Sequence, residues 1–234
     1  MIYALITARK NSKGIKNKNL IKIAGKSLLQ ISIDNSKKVK IFKKIFCSTD
    51  STRMIEIAKK NKIEYIKRPY SLSKDNSLSI DVIFHFISYL KRNKIDIPKI
   101  IFLFQPTSPF IKTQTLRNIL NKYKKNKKLS SIISISKISN KFHFINQRKI
   151  TKKNDIKFIF NKLRNKHVRR QEKPEVFAHG NIFSFKTKKF IQQKSVTPTP
   201  IGYEILKTSW ESIDIDDIND YQNALLYKKN LKKI

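Results

Sequence analysis

Short apolar runs alternate with stretches of helical periodicity through the first 136 residues, and this alternation leaves few folds open. Ile2–Thr7 is a brief, almost wholly apolar segment of the kind that fills the centre of a parallel sheet. Ile45–Ser48, Glu64–Lys67, Lys99–Gln105 and Ser131–Ser136 read as further strands. The third is ended by Pro69, and the fourth is stopped by Pro106 and Pro109. Between them, Leu28–Ser36, Ser51–Asn61, Ser79–Arg92 and Thr113–Lys125 carry apolar residues at helical spacing, with Ser51 placed as a cap. Repeated β-α-β order with right-handed crossovers implies an α/β fold: a three-layer, doubly wound, mostly parallel sheet.

The pattern changes after residue 139. From Asn140 to Pro174 the chain is polar and irregular, with scattered aromatics at Phe142, Phe144, Phe158 and Phe160. It reads as a flap, an arm or a dimerisation insertion. Asn181–Phe185 then reads as a strand, Glu204–Thr208 as a weaker one, and Asp216–Leu231 as a closing helix. There is no internal repeat and no Gly/Ser linker, so residues 1–234 are expected to form a single domain, with an inserted extension over about residues 140–175.

Composition excludes less than it first suggests. The formal net charge is +36 and the pI near 10.3, values usual for a nucleic-acid binder. The lysines, however, fall on nearly every expected helix face and loop, not along one stripe. Basic runs such as Lys124–Lys128 and Lys228–Lys233 sit at helix ends or in the tail, where solvated charge costs little. That spread favours a compositional bias over a nucleic-acid partner, and the positive field would still draw anionic ligands. The chain has one cysteine, Cys47, so an internal disulfide is impossible and a reducing compartment is expected. Residues 2–6 are too short for a signal peptide or a membrane span, which gives the expectation of a cytoplasmic protein without a membrane partner.

Two segments carry chemistry. The loop Ala8–Asn19 leaves the first strand at its carboxyl end, where open α/β sheets bind ligands. It offers Arg9, Lys13 and Lys18 to phosphate charge, and Gly14 to a sharp turn that would present N–H groups to oxygens. Neither GxGxxG nor GxxxxGK[ST] is present. Alone, the loop reads equally as a phosphate cradle or a basic surface loop. Near the other end, Glu211, Asp214, Asp216, Asp217 and Asp220 gather within ten positions of a chain with only 16 acidic residues. Asp214 and Asp216, at i and i+2 on an extended segment, would present both carboxylates on one side, as an oxygen-only Mg²⁺ site needs. An acid-rich helix N-terminus is the competing reading and would account for Asp216, Asp217 and Asp220. His85, Cys47, Trp210 and Phe177 are read as packing residues.

The residues of the loop, Ala8-Arg9-Lys10-Asn11-Ser12-Lys13-Gly14 followed by Lys18-Asn19, resemble the amino-terminal signature of the acylneuraminate cytidylyltransferases. The likeness continues in order through Ala24–Leu29, Ser48-Thr49-Asp50, Arg68-Pro69 with Leu72 and Asp75, Ser79–Val82, and Gln105-Pro106-Thr107-Ser108-Pro109. It ends with Arg169-Arg170-Gln171, Gly180 and Ser212–Asp216. One such match would be weak, but the ordered set spans nearly the whole chain.

The resemblance implies a nucleotide-diphospho-sugar transferase-like fold and a cytidylyltransferase that joins CMP from CTP to an acidic nonulosonic acid of the N-acetylneuraminate type. Legionaminic, pseudaminic and 3-deoxy-octulosonic acids are the alternative acceptors. It further implies that Arg9 and Lys18 hold the triphosphate with help from Ser12, that Asn19, Arg68 and Ser79 face cytosine, and that Gln105, Arg170 and Gln171 reach the sugar. Arg170 and Gln171 would come from the extension, across a homodimer interface. Asp214 and Asp216 would bind Mg²⁺, and either Asp214 or a metal-bound hydroxide would take the hydroxyl proton. Two positions depart from the pattern: Ile111 stands where many relatives have Arg, and His179 where they have Asn.

Overall fold

The computed structural model describes residues 1–230, apart from the side chain of Arg170. Its strands in chain order are β1 (Ile2–Thr7), β2 (Lys22–Ile23), β3 (Lys26–Ser27), β4 (Lys44–Thr49), β5 (Glu64–Lys67) and β6 (Ile100–Phe104). The later strands are β7 (Ser131–Lys137), β8 (Arg148–Ile150), β9 (Ile156–Phe158), β10 (Phe177–Lys186) and β11 (Ile201–Ile205). The α-helices are α1 (Leu28–Lys38), α2 (Thr52–Lys60), α3 (Ser79–Arg92), α4 (Thr113–Lys125), α5 (Asn161–Lys166), α6 (Thr187–Gln193) and α7 (Ile218–Asn230). Seven strands form one sheet in the order β11-β7-β10-β6-β1-β4-β5, every neighbour pairing parallel except those made by β10.

The central strand shows why the sheet needs cover on both faces. Successive side chains of a strand point to opposite faces. Ala4 and Ile6 enter one core with Phe102 and Phe104 of β6 and with Leu29, Ile33, Met54 and Leu116 of α1, α2 and α4. Tyr3 and Leu5 enter the other with Phe46 of β4, Leu103 of β6, and Ile83, Phe86 and Phe190 of α3 and α6. The strand is apolar at every interior position because neither face meets water, which is the three-layer arrangement expected from the sequence. A third, smaller core joins Ile23 and Leu28 to Ile215 and Ala224, with Trp210 and Tyr221 at its edge. It fixes the carboxyl-terminal segment against the start of α1.

Local chemistry sets the boundaries. The Ser27 hydroxyl accepts from the Gln30 N–H at 3.1 Å and caps α1. Ser51 holds the N-cap position of α2, but its side chain makes no capping bond. The last sheet strand is Ile201–Ile205, not Glu204–Thr208. Pairing with β7 begins at Ile201 opposite Ser131 and selects the run in which Gly202 and Glu204 alternate with the apolar residues. The closing helix starts at Ile218, two residues after the expected Asp216, and Leu231 lies outside the described residues.

The inserted segment is more regular than its composition suggests. Between β7 and β10 it holds the antiparallel hairpin β8–β9 and the short α5, and the Ile138 N–H bonds the Val176 carbonyl at 3.1 Å where it leaves the sheet. Phe142, Ile150, Ile156 and Val168 on it are exposed. No helix among the described residues is long and apolar enough to cross a membrane.

Cys47 lies opposite Ile6 in the sheet and is fully buried; burial pushes its thiol up to about 12. The thiolate is the reactive form, so at pH 8 the folded chain is expected to leave a thiol-specific disulfide reagent unreacted. One thiol per chain should react after denaturation in guanidinium. Rapid reaction of the native protein would contradict this placement.

Candidate active site

A cleft of about 510 Å³ opens at the carboxyl ends of β1 and β6. Three features build it: the basic loop after β1, the segment from Arg68 to Ser79, and the junction of the Gln105–Thr107 turn with Asp214 and Asp216. Of the residues singled out from the sequence, Arg9, Ser12, Lys18, Asn19, Arg68, Ser79, Gln105, Asp214 and Asp216 all line it. Gln171 does not; it lines a separate depression beside Lys137 and His143. The Arg170 side chain lies outside the described residues.

The loop is pinned at its base. The Ala8 N–H donates to the Ser48 carbonyl at 3.0 Å, and the Lys10 N–H to the Asp50 carboxylate at 2.7 Å. The buried Asn19 amide donates to the Arg9 carbonyl at 2.9 Å and closes the loop on itself. The role of Gly14 differs from the sharp turn expected of it. It is not a left-handed residue; Gly25 is, at φ +82°. A Cβ at Gly14 would instead sit inside contact distance of the Asp216 carbonyl oxygen, so the glycine is what lets the loop lie directly on the Asp214–Asp216 segment. Across this approach the Lys18 ammonium donates to the Asp216 carboxylate at 2.9 Å, with only 12% of its side chain exposed.

The acidic cluster separates into three jobs. Asp217 accepts from the N–H groups of Asn219 and Asp220, while Asp220 accepts from those of Asp216 and Asp217, a reciprocal cap on α7. Glu211 is buried and accepts from the Lys112 N–H and the Thr115 hydroxyl, which neutralises the start of α4. The helix-terminus reading therefore holds for Asp217 and Asp220, whereas Asp214 and Asp216 face the cleft. Asp214 is aimed by the buried Ser108, whose hydroxyl donates to it at 3.1 Å, and the Ile215 N–H donates to the Thr107 carbonyl at 2.9 Å. Ser108 was not singled out from the sequence beyond its motif; a hydroxyl two residues past a strand-ending Gln-Pro pair gave no such signal.

Arg68 is the most telling side chain. It follows β5, is 6% exposed, and donates to the Ser48 hydroxyl at 3.2 Å and the Ser48 carbonyl at 2.8 Å. Burial pulls its guanidinium below the usual range, partly offset by the charge of Asp50. Among the described residues it has no carboxylate within ion-pair distance, so its remaining donors are free for a polar acceptor in the cleft. His85, half-buried on α3, is held in its neutral form first by burial and then by Arg92 and Arg68; its Nδ1 has no partner. Trp210 packs edge-on to Phe110 beneath the Lys112 ammonium and does not line the cleft. No group of three or more His, Cys, Asp or Glu converges among the described residues, so any metal here rests on Asp214, Asp216 and a ligand's own oxygens.

A cytidylyltransferase family model matches residues 3–234. The chain belongs to the cytidylyltransferase family. The N-acylneuraminate cytidylyltransferase of Escherichia coli O18:K1:H7 is 28% identical over 100% of this chain and 54% of its own length. This member spans about half the length of the N-acylneuraminate cytidylyltransferases it matches. The CMP-N,N'-diacetyllegionaminic acid synthase of Legionella pneumophila is 30% identical over 94% of this chain and 93% of its own. The structure of CMP:2-keto-3-deoxy-manno-octonic acid synthetase complexed with CTP superposes with a TM-score of 0.71 over 98% of both chains at 14% identity, which shows a shared fold.

Because Gly14 touches backbone and not a flexible side chain, this cytidylyltransferase family member should tolerate Gly14→Ala poorly. The variant is expected to lose about 1–3 kcal/mol of stability in urea. A loss under about 0.5 kcal/mol would mean that the loop lifts freely off Asp216.

Proposed function

We propose that the chain transfers CMP from CTP to an acidic nonulosonic acid, releasing pyrophosphate. One observation carries this reading: the cationic loop and the two carboxylates, about 200 residues apart in sequence, meet in one cleft with Lys18 bonded to Asp216. Family membership supports the chemistry, and both curated relatives described above are named for attaching cytidylyl groups to nine-carbon acids.

In this reading Arg9 and Lys18 hold the triphosphate, with Ser12 beside them, and oppose the charge that builds on pyrophosphate as it leaves. Arg68, able only to donate, meets the O2 and N3 acceptors of cytosine, flanked by Asn19 and Ser79. Gln105 orients the sugar acid so that its anomeric hydroxyl faces the α-phosphorus. Asp214 stands where it can accept the hydroxyl proton. The donor set at Asp214 and Asp216 suits Mg²⁺, which when bound would neutralise triphosphate charge. Arg170 and Gln171 act on the sugar of a partner copy, a reading supported by Gln171 lining a depression other than this chain's own cleft and by the exposed apolar residues of the inserted arm.

Asp214→Ala and Asp216→Ala are each expected to lower turnover more than about a hundredfold, with the thermal midpoint little changed. Near-normal turnover in both variants would remove the carboxylates from the reaction. The acceptor is tested with a panel of N-acetylneuraminic, legionaminic, pseudaminic and 3-deoxy-octulosonic acids, each given with CTP and Mg²⁺ and read by pyrophosphate release. A nonulosonic acid is expected to be used best. Pyrophosphate release with the eight-carbon acid alone would overturn the nine-carbon assignment.

A further inference from the structure

Asp75 is the one acid in the cleft whose contact is with the phosphate-facing cations and not with the Asp214–Asp216 segment. Its carboxylate lies 2.7 Å from the Arg9 guanidinium and 4.0 Å from the Lys13 ammonium, and it is about half-exposed at 47%. It sits at the apex of the segment from Arg68 to Ser79, whose two ends also line the cleft. The apex is held to its own segment by local bonds: the Ser77 N–H donates to the Lys74 carbonyl at 3.1 Å, and the Ser77 hydroxyl to the Ser71 carbonyl at 3.1 Å. The ion pair is thus a bridge between two loops that face each other across the cleft mouth.

Without a nucleotide, Arg9 and Lys13 are like charges beside a third cation, Lys18, which is already engaged by Asp216. Asp75 supplies the negative charge that Arg9 would otherwise lack. A carboxylate and a phosphate group both accept charge-assisted hydrogen bonds from a guanidinium, so the two compete for Arg9. If Asp75 stayed in place, a triphosphate would meet its charge at close range.

We propose that Asp75 is a positioning residue that holds Arg9 until the triphosphate of the nucleotide displaces it, so that the site distinguishes a phosphorylated ligand from a bare nucleoside. The proposal rests on the CTP reading above. A bare nucleoside carries no group that competes for Arg9, so it leaves the Arg9–Asp75 pair intact. A triphosphate exchanges the pair for its own contacts.

The test is calorimetric titration of cytidine, CMP, CDP and CTP into the intact chain, with Mg²⁺ and without acceptor, for the natural sequence, Asp75→Asn and Asp75→Glu. Asp75→Asn is expected to bind CTP about two- to fivefold more tightly, the scale of one exposed ion pair, with CMP and CDP gaining no more than CTP and cytidine changed less than about twofold. Asp75→Glu should restore the natural values. A merely structural role would weaken all four ligands together, and that outcome overturns the proposal, as does CTP affinity in Asp75→Asn that is unchanged or weaker. If the natural chain binds CTP and Asp75→Asn shows no gain, only this inference fails. If the natural chain binds no CTP, the underlying functional reading fails with it.

Discussion

The seating of one loop on one backbone carbonyl governs the whole site. Gly14 lies against Asp216, and Lys18 crosses the same gap to the Asp216 carboxylate. These contacts join the first strand's exit to a segment almost 200 residues later. That segment is in turn fixed from behind by Ile215 and Ala224 in the small third core, and from the side by the Thr107 carbonyl and the Ser108 hydroxyl. Opposite charges alone would not secure such a meeting, because exposed ion pairs contribute little. Close packing of backbone against backbone fixes the geometry, and the charges then act within it.

Burial decides which charged groups do structural work and which remain available. Glu211 and Arg68 are both buried, yet they differ in how far their bonding is complete. Glu211 receives an N–H and a hydroxyl at the start of α4, with Lys112 nearby, and has little left to offer a ligand. Arg68 has only Ser48 for two of its donors and keeps the rest pointing into the cleft. An unpaired buried guanidinium is costly unless an acceptor arrives. Its incomplete bonding therefore marks the ligand's position more clearly than the many surface lysines do.

The fold was legible because β1 and β6 must be apolar on both sides, a demand that leaves an unbroken run in the sequence. β11 was harder: as an edge strand it buries little, and Ile201, Tyr203 and Ile205 remain exposed, so the boundary came from pairing with β7 and not from its own pattern. In the site, nine of the expected residues converge because their motifs follow parallel strands and so leave the sheet at the same carboxyl edge. Gln171 could not be placed the same way, since an inserted arm obeys no register with the sheet. The division of the acidic cluster was legible in part: the helix-terminus reading covers Asp217 and Asp220, whereas Glu211 bonds the start of α4, 99 residues earlier, a partner that spacing does not encode.

The two-sided interior has one more consequence. Lys and Arg together number 52, yet no lysine is buried among the described residues. The drift toward lysine stops where water stops. The same fold is compatible with wide change in sequence: another protein superposes on this chain from end to end at 14% identity.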